Sequence, residues 1–70
     1  MGLQEVRSRD VYRMVNGRML PPGFEILRLG LADGWNMLYL RYKGRTIVTE
    51  KKPEDGTLEK LYNLAVSLRD

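Results

Sequence analysis

The sequence predicts an α+β domain in which an antiparallel three-stranded meander carries one C-terminal helix on one face. Two turn signals and one helical periodicity predict this fold class. The turns Asp33-Gly34 and Lys43-Gly44-Arg45 separate three runs rich in apolar and β-branched residues, which read as strands over about residues 24–31, 35–42 and 45–51. The stretch 57–69 instead repeats apolar residues at helical spacing.

The N-terminal segment, residues 3–20, admits two interpretations. Ser8 can cap a short helix that ends at Asn16-Gly17. Val11 and Tyr12 also suit a strand, and Asn-Gly is then a favoured two-residue hairpin turn. The segment is therefore predicted to form either a short helix or an extra hairpin.

The run Pro21-Pro22-Gly23 separates this segment from the predicted sheet. Proline has no backbone N–H and pushes the preceding residue toward extended geometry, so the first strand of the sheet is expected near Phe24. Seventy residues make one small domain, residues 1–70, in which residues 1–8 are a candidate flexible arm.

A two-residue turn centred on Asp33-Gly34 sets the register of the first hairpin. Leu27 then faces Leu40, so one sheet face is aliphatic and the helix is expected to cover it. The opposite face combines cations and aromatic rings with apolar side chains. Its predicted members are Arg28, Trp35, Tyr39, Arg41 and Lys43, together with Phe24, Ile26, Met37 and Val48.

The helix is predicted over Thr57–Arg69. Its apolar positions recur three and four residues apart, at Leu58, Leu61, Ala65 and Leu68. Thr57 is the predicted N-cap, because Gly56 argues against an earlier start. Leu40 lies in the middle of its strand and faces this helix, so we expect its truncation to be costly.

Composition argues against several function classes. The chain has no Cys and no His, so it has no disulfide, no thiolate and no imidazole general base. It shows no nucleophile–base pattern and no phosphate loop, so the sequence predicts a protein that is not an enzyme and takes no cofactor. No apolar stretch approaches the roughly 20 residues of a membrane span, and no signal-peptide core is evident, which predicts a cytoplasmic protein with no membrane partner.

Positive charge is concentrated in the first part of the chain. Through Thr49 there are eight Arg or Lys against four Asp or Glu, whereas from Glu50 onward there are four against five. Eight of the twelve cations are Arg, the side chain best suited to phosphate forks and to stacking on aromatic rings. This distribution favours an anionic partner.

The leading functional interpretation is nucleic-acid binding through the aromatic and basic sheet face. The predicted nucleic-acid-binding residues are Arg28, Trp35, Tyr39, Arg41, Lys43 and Arg45, with Trp35 stacking on a base. The alternative is a protein-interaction module, either a homodimer or a small inhibitor or adaptor that docks through the same face or the N-terminal segment. Salt separates the two, because phosphate binding weakens steeply with added salt.

The predicted fold has three strands followed by a helix, and its turns lie in the stretch from Asp33-Gly34-Trp35 to Tyr42-Lys43-Gly44-Arg45. In these features the chain resembles the small sheet domains with which some tyrosine integrases and plant transcription factors read DNA. The resemblance is one of fold. It implies a sheet that contacts DNA and assigns no functional residue in this chain.

Overall fold

The computed structural model describes residues 6–32, 34 and 36–69 and has an α+β fold. The strands are β1 (Val6–Tyr12), β2 (Met14–Val15), β3 (Arg18–Met19), β4 (Phe24–Leu31), β5 (Asn36–Tyr42) and β6 (Arg45–Glu50), and the helix is α1 (Thr57–Arg69). The large antiparallel sheet has the strand order β1-β4-β5-β6. β2 and β3 pair only with each other within the described chain.

The predicted meander is present as β4, β5 and β6, but the sheet has one more strand. β1 pairs antiparallel with β4, so the expectation that the sheet begins near Phe24 is wrong. β1 is exposed along almost its whole length, so no buried apolar face marks it as a strand. It is a strand because its backbone pairs with β4. Of the candidate N-terminal arm, residues 1–5 lie outside the described residues and residues 6–8 belong to β1.

The segment between β1 and β4 forms the extra hairpin, and the short-helix alternative is wrong. Asn16 and Gly17 have φ angles of 52° and 78°. A two-residue hairpin turn of this kind needs positive φ at both central positions, which Asn and Gly tolerate. Val15 is buried, so this hairpin is anchored in the protein core.

The register of β4 against β5 differs by one residue from the prediction, since Ile26 pairs with Leu40. The Gly34 N–H donates to the Leu31 carbonyl over 3.0 Å, and Gly34 has a φ of 89°. A β-turn followed by a left-handed glycine is typical of a hairpin loop longer than two residues. Asp33, half of the predicted turn, lies outside the described residues. Because side chains alternate, the one-residue shift turns every β4 side chain to the other face relative to β5.

The second turn lies where the sequence predicts it, whereas the pairing register of β6 differs from the prediction beyond the turn. Lys43 and Gly44 have φ angles of 49° and 84°, as a two-residue turn requires. A bulge then shifts the β5–β6 register, so that Val48 opposes Leu40. The prediction that Val48 lies on the sheet face opposite to Leu40 is therefore wrong.

α1 has the bounds that its periodicity predicts, Thr57–Arg69. Its first turn is closed by the Lys60 N–H, which donates to the Gly56 carbonyl over 2.9 Å. Thr57 Oγ1 accepts a hydrogen bond from the Glu54 N–H, also over 2.9 Å. Gly56 therefore holds the N-cap position that we predicted for Thr57, and the Thr57 hydroxyl closes the preceding turn.

The core lies between α1, the β2–β3 hairpin and one face of the large sheet, here called the helix face. Leu40 is fully buried there, as predicted, in one cluster with Leu61 and Ala65. The other members of the buried cluster are Val15, Leu20, Phe24, Ile26 and Leu38. The opposite face, here called the open face, carries Arg9, Val11, Glu25, Leu27, Leu29, Met37, Tyr39 and Arg41. None of the described elements packs on it.

Candidate binding face of the sheet

Alternate residues of β1, β4 and β5 form the open face, together with Thr49 and Thr46 of β6, which lie opposite Tyr39 and Arg41. Two rows of directly opposed residues cross it, Val11 beside Leu27 beside Tyr39, and Arg9 beside Leu29 beside Met37. Residues opposed in an antiparallel pair have their Cβ atoms about 4.5 to 5.5 Å apart, so the side chains of each row are in contact distance. The rows give the face an apolar centre that spans three strands.

The centre of the open face is only partly covered by its own side chains. Leu27 is buried between its cross-strand neighbours, Leu29 and Met37 are half-buried, and Val11 is 47% exposed. The Tyr39 hydroxyl lies 3.4 Å from Met37 Sδ and donates to it. This contact ties the Tyr39 ring to the methionine two residues away on the same face.

An ion-pair network closes one end of the open face. Arg13 Nη2 lies 3.3 Å from Glu25 Oε1, and Arg41 Nη1 lies 3.7 Å from Glu25 Oε2. Arg41 Nη2 also donates to the Gly44 carbonyl over 2.8 Å. One carboxylate thus holds two guanidinium groups at the rim, and its charge compensates part of theirs.

The structure does not bring the predicted nucleic-acid-binding residues together on one face. Tyr39 and Arg41 lie on the open face, two residues apart on β5. Arg28 lies on the helix face, where its Nη2 donates to Asn36 Oδ1 over 3.3 Å. The one-residue register shift separates Arg28 from Tyr39, although the sequence predicts both on the same face. Trp35 lies outside the described residues.

Lys43 lies in the β5–β6 turn and Arg45 follows it, at one end of the sheet. Both side chains are exposed, and Lys43 Nζ lies 5.4 Å from the centroid of the Tyr42 ring. Arg41 joins them through its bond to the turn carbonyl of Gly44. These cations form a basic end of the molecule rather than part of a continuous aromatic face.

Four residues of the open face were not predicted as members of the candidate site: Arg9, Val11, Leu27 and Leu29. For the β4 residues a signal was present, because a glycine at Gly34 also suits a three-residue loop, in which the last residue is left-handed. For β1 the pattern holds no comparable signal, since strand pairing over long sequence separation brings Arg9 and Val11 to this face.

A second concave feature lies on the helix face, beside the start of α1. It is an open pocket of about 320 Å³ with Arg28 and Asn36 on the sheet side and Glu54 and Asp55 on the loop side. Because this lining mixes both signs of charge, it does not select an anionic or a cationic ligand. The pocket therefore offers a weaker argument for function than the open face.

Comparison with known proteins does not assign a function to the open face or to the pocket. No family model, no curated protein and no solved structure matches the chain. Within the described residues, no helix combines the length and apolar character needed to cross a membrane, and no group of three or more acidic side chains is arranged to hold a metal ion. The open face is therefore the feature of the described chain that best indicates a function.

Proposed function

We propose that this protein is a non-enzymatic binding module that docks onto another protein through its open face. The observation that carries the proposal is the apolar centre formed by Leu27, Leu29 and Met37, on which none of the described elements packs. In a two-layer fold the outer sheet face meets water and is usually polar. Apolar side chains across three strands of such a face are typical of a contact surface.

The types of side chain on the open face also favour a protein partner. Met, Tyr and Arg are enriched at the centres of protein interfaces, and the face carries Met37, Tyr39 and Arg41 next to one another. Arg9 and Arg13 lie at its margin, where a polar rim is expected around an apolar contact. The face thus has the arrangement of apolar centre and charged border that protein interfaces share.

Nucleic-acid binding is the second candidate, and the distribution of charge supports it. The cations on the open face and at its basic end are Arg9, Arg13, Arg41, Lys43 and Arg45. Stacking on bases needs flat, accessible rings, however, and Tyr39 is the aromatic residue among the described members of the face. The aliphatic residues around it offer nothing to phosphates, so we rank this function second.

The first test introduces a charge at the centre of the face. The variant Met37→Glu would bury an unpaired carboxylate in the proposed contact, whereas Asn63→Glu places the same charge on an exposed position of α1. Partners captured from cell extract by the parent protein are purified and titrated against both variants by calorimetry. We expect Met37→Glu to weaken binding by at least about tenfold and Asn63→Glu to leave it unchanged.

The outcome against the proposal is a folded Met37→Glu variant that binds the purified partner as tightly as the parent. Circular dichroism of each variant shows whether the fold is kept. If both variants bind the partner as tightly as the parent, the open face is not the contact surface and the basic end becomes the candidate.

A separate titration tests the second candidate. Amide shifts of the labelled protein are followed with a mixed-sequence DNA duplex and a single strand at low and moderate salt. If nucleic acid is the partner, the double variant Lys43→Ala, Arg45→Ala should weaken binding and flatten its salt dependence, because fewer counterions are released. The control Lys51→Ala removes an exposed cation from the end of β6. If neither DNA produces amide shifts at low salt, this function is excluded.

A further inference from the structure

We propose that the partner protein adds a strand to the outer edge of β1, and that this strand carries an aliphatic residue between two acidic ones. This inference rests on the proposed function, because it names the partner chemistry of the same surface. It follows from the edge position of β1 in the described sheet, from the side chains that β1 contributes to the open face, and from the size of that face.

The open face alone is small for a specific interface. Strands about 4.8 Å apart with residues rising about 3.3 Å give its apolar centre and border an area of roughly 300 Å². A specific protein interface covers about 800 Å² on each partner. A stable contact must therefore extend beyond the open face. β1 belongs to this face and is also an edge strand of the sheet, so the contact can extend past β1.

β1 offers an edge that a further strand can pair with. It is the terminal strand of the sheet, and within the described chain only β4 pairs with it. Residues 8–12 pair with β4 without interruption, and the single register shift lies beyond them near Val6. An edge with regular spacing and unpaired backbone groups is the template that strand addition uses.

The opposite edge of the sheet is less suited to this role. β6 contains the bulge that brings Val48 opposite Leu40, which interrupts the spacing of its backbone groups. Lys51, Lys52 and Pro53 follow β6 directly, and Lys and Pro at an edge discourage strand pairing. β1 is therefore the edge that accepts a partner strand.

The side chains of β1 define the chemistry of that strand. On the open-face side they are Arg9 and Val11, and the next position in this direction is Arg13. Val11 is 47% exposed, and the side chain of Arg13 stays 70% exposed although it contacts Glu25. Directly opposed residues of paired strands share a face, so carboxylates opposite the two arginines and an aliphatic residue opposite Val11 complement this edge.

A second copy of this chain does not fit the same edge. The antiparallel register that pairs all of residues 8–12 with a second β1 sets Asp10 opposite Asp10. The neighbouring registers that keep the faces aligned set Arg9 opposite Arg9 or opposite Arg13. Like charges directly opposed are destabilising, so the occupant is a different chain with acidic residues.

The test uses synthetic strands as probes of the full chain. The first is a blocked heptapeptide of sequence Thr-Glu-Thr-Val-Thr-Glu-Thr, which places both Glu and the Val on one side of a strand. A matched peptide has Lys in place of both Glu, and a third has the Glu sequence with its three central amides methylated. Amide shifts and hydrogen exchange of the labelled protein report where and how tightly each peptide binds.

We expect the Glu peptide to shift and protect the amides of residues 8–12 and to bind about tenfold more tightly than the Lys peptide. Methylation should abolish binding, since a methylated amide cannot donate to the edge. The variant Arg9→Ala should reduce the preference for the Glu peptide to about threefold, whereas Lys51→Ala, which removes an exposed cation next to β6 at the opposite edge of the sheet, should leave it unchanged.

Equal binding of the two unmethylated peptides, binding that leaves residues 8–12 unperturbed, or no binding of the Glu peptide would each overturn strand addition. If Met37→Glu still weakens the natural partner in those cases, the proposed function holds and only its partner chemistry is wrong. If Met37→Glu leaves partner binding intact, the proposed function fails and this inference fails with it.

Discussion

Leu27 and Leu40 lie in neighbouring strands and are similarly buried, yet their surroundings differ. Leu40 is fully buried against Leu61 of α1, within the main cluster. Leu27 is 8% exposed, and its neighbours are Val11 and Tyr39 on the same sheet face. Burial by a second layer and burial by cross-strand neighbours have different energetic consequences.

Truncation of these two leucines should therefore differ in cost. Leu40→Ala leaves a cavity in the core, which typically costs about 2 to 5 kcal/mol of unfolding free energy. Leu27→Ala removes the same atoms beside solvent, where neighbouring side chains can close the gap, so we expect about 1 to 2 kcal/mol. Urea unfolding of the two variants measures both values, and a larger loss for Leu27→Ala would contradict the assignment of the two faces.

Gly23 and Gly17 form a second matched pair of residues. Both have positive φ, 88° and 78°, so a side chain at either position is strained by about 1 to 2 kcal/mol. A Cβ at Gly23 would also lie 2.8 Å from Cε1 of Tyr42, whereas a Cβ at Gly17 meets open space.

We expect Gly23→Ala to be the more destabilising of the two substitutions, by roughly 1 to 3 kcal/mol, because the ring of Tyr42 must move. That ring packs on Phe24 with centroids 4.6 Å apart, so its displacement also disturbs the core. Thermal or urea denaturation of both variants gives the comparison. Equal losses would show that the Tyr42 ring shifts at no cost.

At the scale of elements, the β2–β3 hairpin is held to α1 by a small polar contact. Arg18 Nη2 donates to Glu59 Oε2 over 2.7 Å, and its guanidinium carbon lies 4.4 Å from the centroid of the Tyr62 ring. Asn16 Nδ2 adds a bond of 3.3 Å to Glu59. Arg18 and Glu59 are both partly exposed, so this contact guides the position of the hairpin more than it stabilises the whole fold.

Arg18→Ala should loosen the hairpin while leaving global stability nearly unchanged. We expect a loss below about 1 kcal/mol in urea unfolding, because exposed ion pairs contribute little. Hydrogen exchange at the hairpin amides should become faster, because local opening of the hairpin no longer requires the Arg18–Glu59 contact to break. The control Lys51→Ala removes an exposed cation that follows β6. Unchanged exchange in Arg18→Ala would mean that the Arg18 contact does not hold the hairpin in place.

At the scale of the whole molecule, one buried cluster joins all parts of the described chain except the open face. Val15 and Leu20 from the hairpin segment, Ile26 from the sheet and Leu61 from α1 belong to the same cluster. A chain of this size buries only about 60% of its unfolded surface, so no part of it has a core of its own. The parts should therefore unfold together.

We expect a single cooperative thermal transition with an unfolding enthalpy of about 50 kcal/mol near the midpoint. Calorimetric and van't Hoff enthalpies should agree, as two-state unfolding requires. A separate transition at lower temperature, or a van't Hoff enthalpy well below the calorimetric one, would show that the hairpin or β1 melts independently of the main cluster.

Local signals were sufficient to predict several elements. Lys43-Gly44 marks its turn because Gly tolerates left-handed backbone, whereas Asn16-Gly17 indicated a chain reversal that suited either a helix end or a hairpin. The bounds Thr57–Arg69 of α1 follow from apolar spacing that repeats within the helix itself. The candidate site was predicted only in part, since Tyr39 and Arg41 lie on the open face and Arg28 does not.

Residues close together in the chain were sufficient to predict the fold class, the turn at Lys43-Gly44 and the helix α1. The tertiary structure alone decided the register of β4 and the place of β1. β4 has apolar side chains on both faces, Ile26 on one and Leu27 on the other, so its pattern is compatible with either register. The loop at Gly34 and the long-range pairing with β1 select between them, and with that choice they decide which residues form the open face.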